Sequence, residues 1–326
     1  MRGAWLLAPL LLTVAACSGG GGAGDTGGDS SPVALSGEPG LILYRLSNEG
    51  ALGVVRSDGS ERRHLPVEVS QAAFLVADCP ADGGSLVYVT GDYETSTGRL
   101  YLLDGSPPDE PIAIDGLVQT LAVSPDGGRA ALTIFDRETL QNRLWLMELP
   151  GGEMAELPTG GGSPGSPSWS PDGTRLAFSS IEGADSEIYV LEVGAEAAEK
   201  LSDFEAPVYD PDWSPDGESL LFASQAGGRA VQLFSIDADG ANLRQVTTTE
   251  TLKSYPRWSG DGSLIAFVGT AVQPAVSLDW TAHVLAIWVA GPDGSDERQL
   301  TDLALDARLM GWCPAGPWLD ESWVAA

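Results

Sequence analysis

Val123–Gly128 reads V-S-P-D-G-G, Trp169–Gly173 and Trp213–Gly217 both read W-S-P-D-G, and Trp258–Gly262 reads W-S-G-D-G. The aspartates stand at 126, 172, 216 and 261, so the phrase returns after 46, 44 and 45 residues. A fixed period of that length marks a chain built of stacked supersecondary units. Within the phrase, proline fixes φ for the first turn position, aspartate follows, and glycine takes the left-handed position that closes a bulged hairpin. A tryptophan or valine precedes it, and an apolar run follows: L-A-F (Leu176–Phe178), L-L-F (Leu220–Phe222) or I-A-F (Ile265–Phe267). These are strand-forming residues. The phrase is read as a hairpin former, its acids as turn residues.

A third run follows each hairpin, at Glu187–Val193, Val231–Ile236 and Val284–Ala290, and a short fourth closes it, at Glu199–Leu201, Leu243–Val246 and Arg298–Leu300. Each unit is thus expected to be a four-strand meander. Two further copies are degraded: C-P-A-D-G-G-S-L-V-Y at Cys79–Tyr88, and G-W-C-P-A-G at Gly311–Gly316, which keeps the tryptophan and proline without the aspartate. Upstream, Leu41–Leu46, Gly53–Ser57 and Arg62–Leu65 read as the last three strands of a unit whose first strand is missing; Arg308–Cys313 supplies it. The expected fold is all-β: a six-bladed β-propeller of four-stranded antiparallel blades, closed by joining the N- and C-terminal strands, which leaves no open edge.

The repeated W-S-P-D-G resembles the TolB-type propeller repeat of bacterial envelope proteins, found also in propellers of prolyl-oligopeptidase and tricorn-like peptidases. The resemblance runs over residues 38–326 and implies a binding propeller of the envelope, with an envelope protein or peptide as partner. It covers the propeller alone; the α/β domain that precedes the propeller in TolB is not expected here. Fold by itself does not assign activity.

At the N-terminus a single charge, Arg2, precedes the apolar stretch Ala4–Ala16, too short to span a membrane and ending in small residues: a signal peptide over residues 1–16. Its end, V-A-A-C (Val14–Cys17), resembles the bacterial lipobox, which implies lipid on Cys17; ordinary secretion is the rival, since Val14 and Ala16 also suit a conventional signal peptidase. The Gly- and Ser-rich stretch after it makes residues 17–37 a lipidated cysteine plus flexible tether. The chain is accordingly expected to be exported and lipid-anchored, at the outer membrane, in the periplasm or at the cell surface, touching membrane through that lipid alone. Ser18 in place of aspartate favours the outer membrane under enteric-type sorting.

Of the three cysteines, Cys79 and Cys313 remain once Cys17 is lipidated. Both fill the serine slot of the repeat in blades that become neighbours on closure. They form either a disulfide or two buried thiols, because bridging fails beyond about 7 Å between Cα atoms. With 46 acidic against 17 basic residues the formal net charge is −29, a field that repels nucleic acid and anionic lipid. A monomeric domain is expected.

Catalytic material is sparse. His64 and His283 are the only histidines, and no H-x-x-x-H or C-x-x-C occurs. The G-x-S-x-G match at Gly161–Gly165 lacks the strand–turn–helix context of a nucleophile elbow. No catalytic residue, metal site or cofactor is assigned. Calcium, which needs only oxygen ligands, is the one cofactor with candidate ligands, Asp210 and Asp212. The loops joining fourth to first and second to third strands share one face, opposite the W-S-P-D-G turns. They are read as Gly160–Pro167, Glu205–Pro211, Thr247–Pro256, Ile181–Ser186 and Gly269–Ala282, and irregular loops on a rigid scaffold are where recognition resides. Tyr209, Asp210, Tyr255, Trp280 and His283 are the binding-face candidates. The leading reading is a non-catalytic binding propeller; the alternatives are a carbohydrate-active or peptidase-associated propeller and a small-ligand or cation-binding module.

Overall fold

The computed structural model describes residues 40–46, 51–60, 62–65, 73–104, 110–183, 185–204, 206–226, 230–249, 251–270, 285–301 and 307–314. They form six four-stranded antiparallel sheets. Blade 1 holds β4 (Ala73–Asp78), β5 (Leu86–Asp92), β6 (Thr97–Leu103) and β7 (Ile112–Asp115). In blade 2 the strands are β8 (Leu117–Val123), β9 (Arg129–Asp136), β10 (Gln141–Glu148) and β11 (Met154–Glu156). Blade 3 comprises β12 (Ser163–Trp169), β13 (Arg175–Glu182), β14 (Asp185–Glu192) and β15 (Glu199–Lys200). Blade 4 follows with β16 (Val208–Trp213), β17 (Ser219–Ser224), β18 (Gln232–Asp237) and β19 (Arg244–Gln245). Blade 5 has β20 (Lys253–Trp258), β21 (Ile265–Thr270), β22 (Leu285–Ala290) and β23 (Arg298–Gln299).

Blade 6 is shared between the two ends of the chain. β1 (Leu41–Leu46), β2 (Ala51–Arg56) and β3 (Arg63–Leu65) take β24 (Ala307–Cys313) as their innermost strand. The closing register pairs Leu41 with Cys313 and Leu46 with Ala307. Innermost strands then touch in the cyclic order β4, β8, β12, β16, β20, β24 and back to β4, so the ring is complete. No helix among the described residues is long and apolar enough to cross a membrane.

Strand alternation explains the core. Side chains of a strand point to opposite faces in turn, and here both faces of each sheet are covered by a neighbouring blade. Leu220 and Phe222 pack toward blade 3, while Leu221 and Ala223 pack toward blade 5. Likewise Leu41 and Leu43 face blade 1, and Ile42 and Tyr44 face blade 5. The six buried clusters correspond to the six blade interfaces. That is why the second strands read as unbroken apolar runs instead of alternating with polar residues.

Each repeated turn closes by one device. Ser124, Ser170, Ser214 and Ser259 donate through Oγ to Oδ1 of Asp126, Asp172, Asp216 and Asp261 at 2.6, 2.5, 2.6 and 2.7 Å. The same aspartate oxygens accept the N–H two residues on, at Gly128, Thr174, Glu218 and Ser263. The glycines between them, from Gly127 to Gly262, have φ near +70° (68–72°), where a β-carbon is strained.

Some expected boundaries shift. Gly160–Pro167, Glu205–Pro211 and Thr247–Pro256 are not loops to their ends, because β12, β16 and β20 begin at Ser163, Val208 and Lys253. Ile181–Ser186 is not a loop either: β13 and β14 run through to Glu182 and Asp185, leaving a tight hairpin. Tyr209 and Tyr255 lie within the first strands β16 and β20 at successive positions of the repeat, Tyr255 occupying the position of Asp210. His64 sits in β3, while most of Gly269–Ala282, with Trp280 and His283, lies outside the described residues, as do Cys17 and the rest of residues 1–37, where a leader and tether are expected.

Candidate functional site

The inner strands of blades 3, 4 and 5 share an irregularity that the sequence reading passed over. In each, two residues face one on the second strand: Ser166–Pro167 opposite Phe178, Asp210–Pro211 opposite Phe222, and Tyr255–Pro256 opposite Phe267. Proline lacks the N–H that a ladder needs, so it is tolerated at a bulge. The residue before each proline turns left-handed, with φ of 46°, 52° and 50° at Ser166, Asp210 and Tyr255. For residues bearing a β-carbon this costs roughly 1–2 kcal/mol each. Packing offsets it, since the opposing phenylalanines are fully buried.

At and beside these bulges polar side chains bridge the innermost strands, which ring the propeller axis. The Asp210 carboxylate accepts Ser166 Oγ–H at 2.5 Å from blade 3 and the Tyr255 N–H at 3.4 Å from blade 5. Two residues on, Asp212 accepts Ser168 Oγ–H at 3.3 Å and the Trp258 N–H at 2.8 Å, with Arg257 3.9 Å away. Ser168 Oγ in turn accepts the Trp213 N–H at 3.2 Å. On the far side of the ring, Asp78 of blade 1 accepts the Val123 N–H of blade 2 at 2.8 Å. Innermost strands have one unpaired edge, and here side chains from the preceding blade satisfy its N–H groups.

The electrostatics follow from that burial. Burial pushes the Asp78 carboxyl up to about 7, opposed by the Val123 N–H and the Arg257 guanidinium. Asp212 is also raised by burial, with Arg257 as the chief opposing influence. Arg257 donates to the Met310 and Pro256 carbonyls, so the guanidinium ties blade 5 to the closing strand. Acids on the turn face behave oppositely: the Ser170 hydroxyl and the Thr174 N–H hold Asp172 down to about 2.

The calcium ligands considered from sequence fare poorly on this geometry. Asp210 and Asp212 are brought to the axis together, but their oxygens already accept donors from neighbouring blades. No group of three or more His, Cys, Asp or Glu able to hold a metal occurs among the described residues. Asp210 is buried in strand β16, not a solvated loop acid. Tyr209 and Tyr255 are half-buried and pack against the clusters at the blade 4–5 and 5–6 interfaces, so neither stands out as an exposed anchor. Burial beside Asp210 pushes the Tyr209 hydroxyl up. The sequence signal for the bulges was present: S-P-S-W, D-P-D-W and Y-P-R-W place proline inside an otherwise strand-forming stretch at positions 167, 211 and 256.

Cys79 and Cys313 are joined by a disulfide with a Cα–Cα distance of 5.7 Å, binding blade 1 to the closing strand. It stands where the other blades carry the serine of the Ser–Asp clamp. At the Cys79 turn Asp82 still accepts the Gly84 N–H at 2.8 Å, while the position of the clamp serine is given to a covalent link between blades.

Exposed large apolar side chains are distributed unevenly. Among the described residues Tyr93, Leu140, Ile181 and Leu252 lie on the face of the second-to-third and fourth-to-first connections, and Leu243 alone lies on the turn face.

Residues 84–314 match the family model of the TolB beta propeller domain. A TolB protein from Agrobacterium tumefaciens superposes with a TM-score of 0.62 at 20% identity, covering 82% of this chain and 90% of that one. TolB from Acinetobacter baumannii gives 0.68 at 20% identity, over 84% of this chain and 67% of that one. Oligogalacturonate lyase in complex with manganese gives 0.50 at 17% identity, over 80% and 72% of the two chains. At these identities the structural likeness establishes the propeller and not an activity. No curated protein sequence matches this chain.

Proposed function

The chain belongs to the TolB β-propeller family, and on that premise we propose that it is a non-catalytic binding propeller of the cell envelope. Lipid on Cys17 anchors it at the outer membrane, in the periplasm or at the cell surface, and its partner is another envelope protein or a peptide segment. One observation carries the reading. The charged side chains described at the axis, Asp78, Asp210, Asp212 and Arg257, are committed to hydrogen bonds or ion pairs that hold inner strands to one another. A catalytic acid, base or nucleophile needs a free face toward substrate, whereas these groups support a rigid platform on which loops can recognise a partner. The disulfide agrees with export, since such bonds persist in oxidising compartments.

The test has two arms. Replacing Cys17 with Ser should release the protein from membranes, and a wild-type chain already free in the soluble envelope fraction would remove the anchor. The mature domain, immobilised and crosslinked to an envelope extract, should retain a defined protein. Retention of none, together with turnover of a glycan or peptide substrate by the purified domain, would replace binding with catalysis.

A further inference from the structure

Three consecutive second-to-third turns, in blades 1, 2 and 3, each expose one large apolar side chain: Tyr93 at 44%, Leu140 at 69% and Ile181 at 48%. The turns are physically continuous. Arg137 of the blade 2 turn donates to the Tyr93 carbonyl at 2.7 Å. Beside Leu140, the Asn142 N–H donates to Ser163 Oγ at 2.9 Å, and Ser163 is the strand partner of Ile181.

The patch is also held in shape. Asp92 and Asp136 each accept the N–H groups two and three residues on, giving blades 1 and 2 the same side-chain-closed turn. Tyr93 meets Phe74 edge to face at 5.6 Å, and the Phe74 ring fills the space a β-carbon at Gly91 would need. A surface already ordered before binding loses little conformational entropy on binding. Beyond the contact of Tyr93 with Phe74, none of the three side chains belongs to a buried cluster.

Their surroundings specify a charge. Glu94, Glu138, Glu182 and Asp185 lie exposed in the same turns, and none forms an ion pair among the described residues. Arg137 is the single cation in these turns. Glu182 and Asp185 also rim a cleft of about 400 Å³ whose wall includes Tyr189 and Phe204; the one cation in its lining, Lys200, is paired with Glu187 and Asp203, which leaves the Glu182 and Asp185 carboxylates without a partner there. An acidic rim over aromatic carbon suits the long apolar stem and charged head of lysine or arginine.

We propose that the second-to-third turns of blades 1–3 form a docking surface for a polypeptide segment in which lysine or arginine alternates with large apolar residues. The apolar side chains supply anchoring area, and the unpaired carboxylates select a basic partner and repel an acidic one. Nucleic acid and anionic lipid are excluded by the same charge. The inference rests on the protein-binding reading above and narrows it to one partner chemistry and one sector of the loop face.

The probe is a short synthetic peptide of alternating lysine and leucine, followed by fluorescence anisotropy on the mature domain at low salt. A lysine–serine peptide and a glutamate–leucine peptide serve as controls. E94Q/E138Q/E182Q and L140S/I181S should each weaken the lysine–leucine peptide about tenfold. E148Q/E192Q/E218Q, with matched charge on the turn face, should change it less than twofold. Equal loss in the two glutamine triples, equal binding of the lysine–serine peptide, or no binding of the lysine–leucine peptide would overturn the proposal. The same variants in the envelope capture separate the two readings. A partner retained equally by wild type and patch variants removes this surface and leaves the binding reading standing; a wild type that retains nothing removes the reading itself.

Discussion

The two faces of this propeller are built from opposite kinds of sequence. On the turn face one phrase recurs, and its parts interlock around the ring. An added β-carbon on Gly127, Gly173, Gly217 or Gly262 would sit 3.2–3.8 Å from the ring of Pro80, Pro125, Pro171 or Pro215 in the preceding blade. Arg129 and Arg175 lie over the rings of Trp169 and Trp213 in the following blade, at 4.8 and 4.4 Å. The disulfide completes the circuit at the seam. On the loop face the described second-to-third turns of blades 1, 2 and 3 do not share one clamp. Blades 1 and 2 share an aspartate-closed turn, blade 3 has a tight hairpin, and exposed apolar residues stand singly on each. Repetition therefore records what closure requires, and variation marks where closure left the sequence free.

The largest effect should come from breaking closure outright. Removal of residues 307–326 deletes β24, leaving blade 6 without its inner strand and exposing an unpaired edge. The domain should lose its cooperative melt or associate into oligomers, as read by calorimetry and light scattering. A monomeric truncation of unchanged stability would show that the closing strand is dispensable. Next comes the seam: C79S/C313S should cost about 3 kcal/mol, the middle of the range typical of disulfides. Chemical denaturation measures it, and a loss no larger than that of a single turn mutant would mean that the covalent link adds nothing to the hydrogen-bonded clamp it replaces.

A third prediction concerns the axis, where the two faces meet. The Asp78 carboxyl sits at about 7 in the folded chain because it is buried, against about 3.9 for an unfolded aspartate. The folded state thus holds its proton more tightly than the unfolded state between those values, so stability falls as pH rises through the window. Below pH 4 the group contributes no penalty, and above pH 7 the penalty is complete. Asp78→Asn removes the titration, so the stability difference, variant minus wild type, should move in the variant's favour from pH 4.5 to pH 8. Urea melts of both proteins at the two pH values check this; a constant difference would show that Asp78 titrates alike in both states.

Legibility in the sequence followed the same division. The blade count, the shared blade and its closing strand were readable because the hairpin phrase and the apolar runs are local signals. Asp82, in a degraded copy, was enough to place blade 1. Inter-blade chemistry was not readable, because the partners of Asp78, Asp210 and Asp212 lie about one repeat away in sequence and become neighbours only when the ring forms. From sequence alone Asp210 and Asp212 therefore read as candidate calcium ligands in a loop. Tyr209 and Tyr255 stay no more than binding-face candidates in the sequence, since a tyrosine near a loop reads alike whether it packs under the loop or stands out from it. The exposed Tyr93 and Leu140 are invisible from sequence for the converse reason, since single apolar residues in turns carry no periodic signal; Ile181 enters only as the start of a loop, not as an exposed side chain.

The smallest effects test the faces against each other most directly. Asp216→Ala removes the acceptor for Ser214 Oγ and the Glu218 N–H in an exposed turn, and should cost about 1 kcal/mol, the worth of a typical intramolecular hydrogen bond. Asp172→Ala should cost a similar amount with a diagnostic pH dependence. The Ser170 hydroxyl holds the folded Asp172 carboxyl down to about 2, below the unfolded value of about 3.9, so its contribution is present above pH 4 and fades as pH falls toward 2. The gap between wild type and Asp172→Ala should close over that interval. L140S/I181S, on the other face, should change stability by no more than about 0.5 kcal/mol, because neither side chain is buried. Parallel denaturation curves at pH 7 decide the matter. Equal losses in the turn and loop variants would mean that the exposed apolar side chains hold the fold after all, and would remove the ground for reading the loop face as the one left free for a partner.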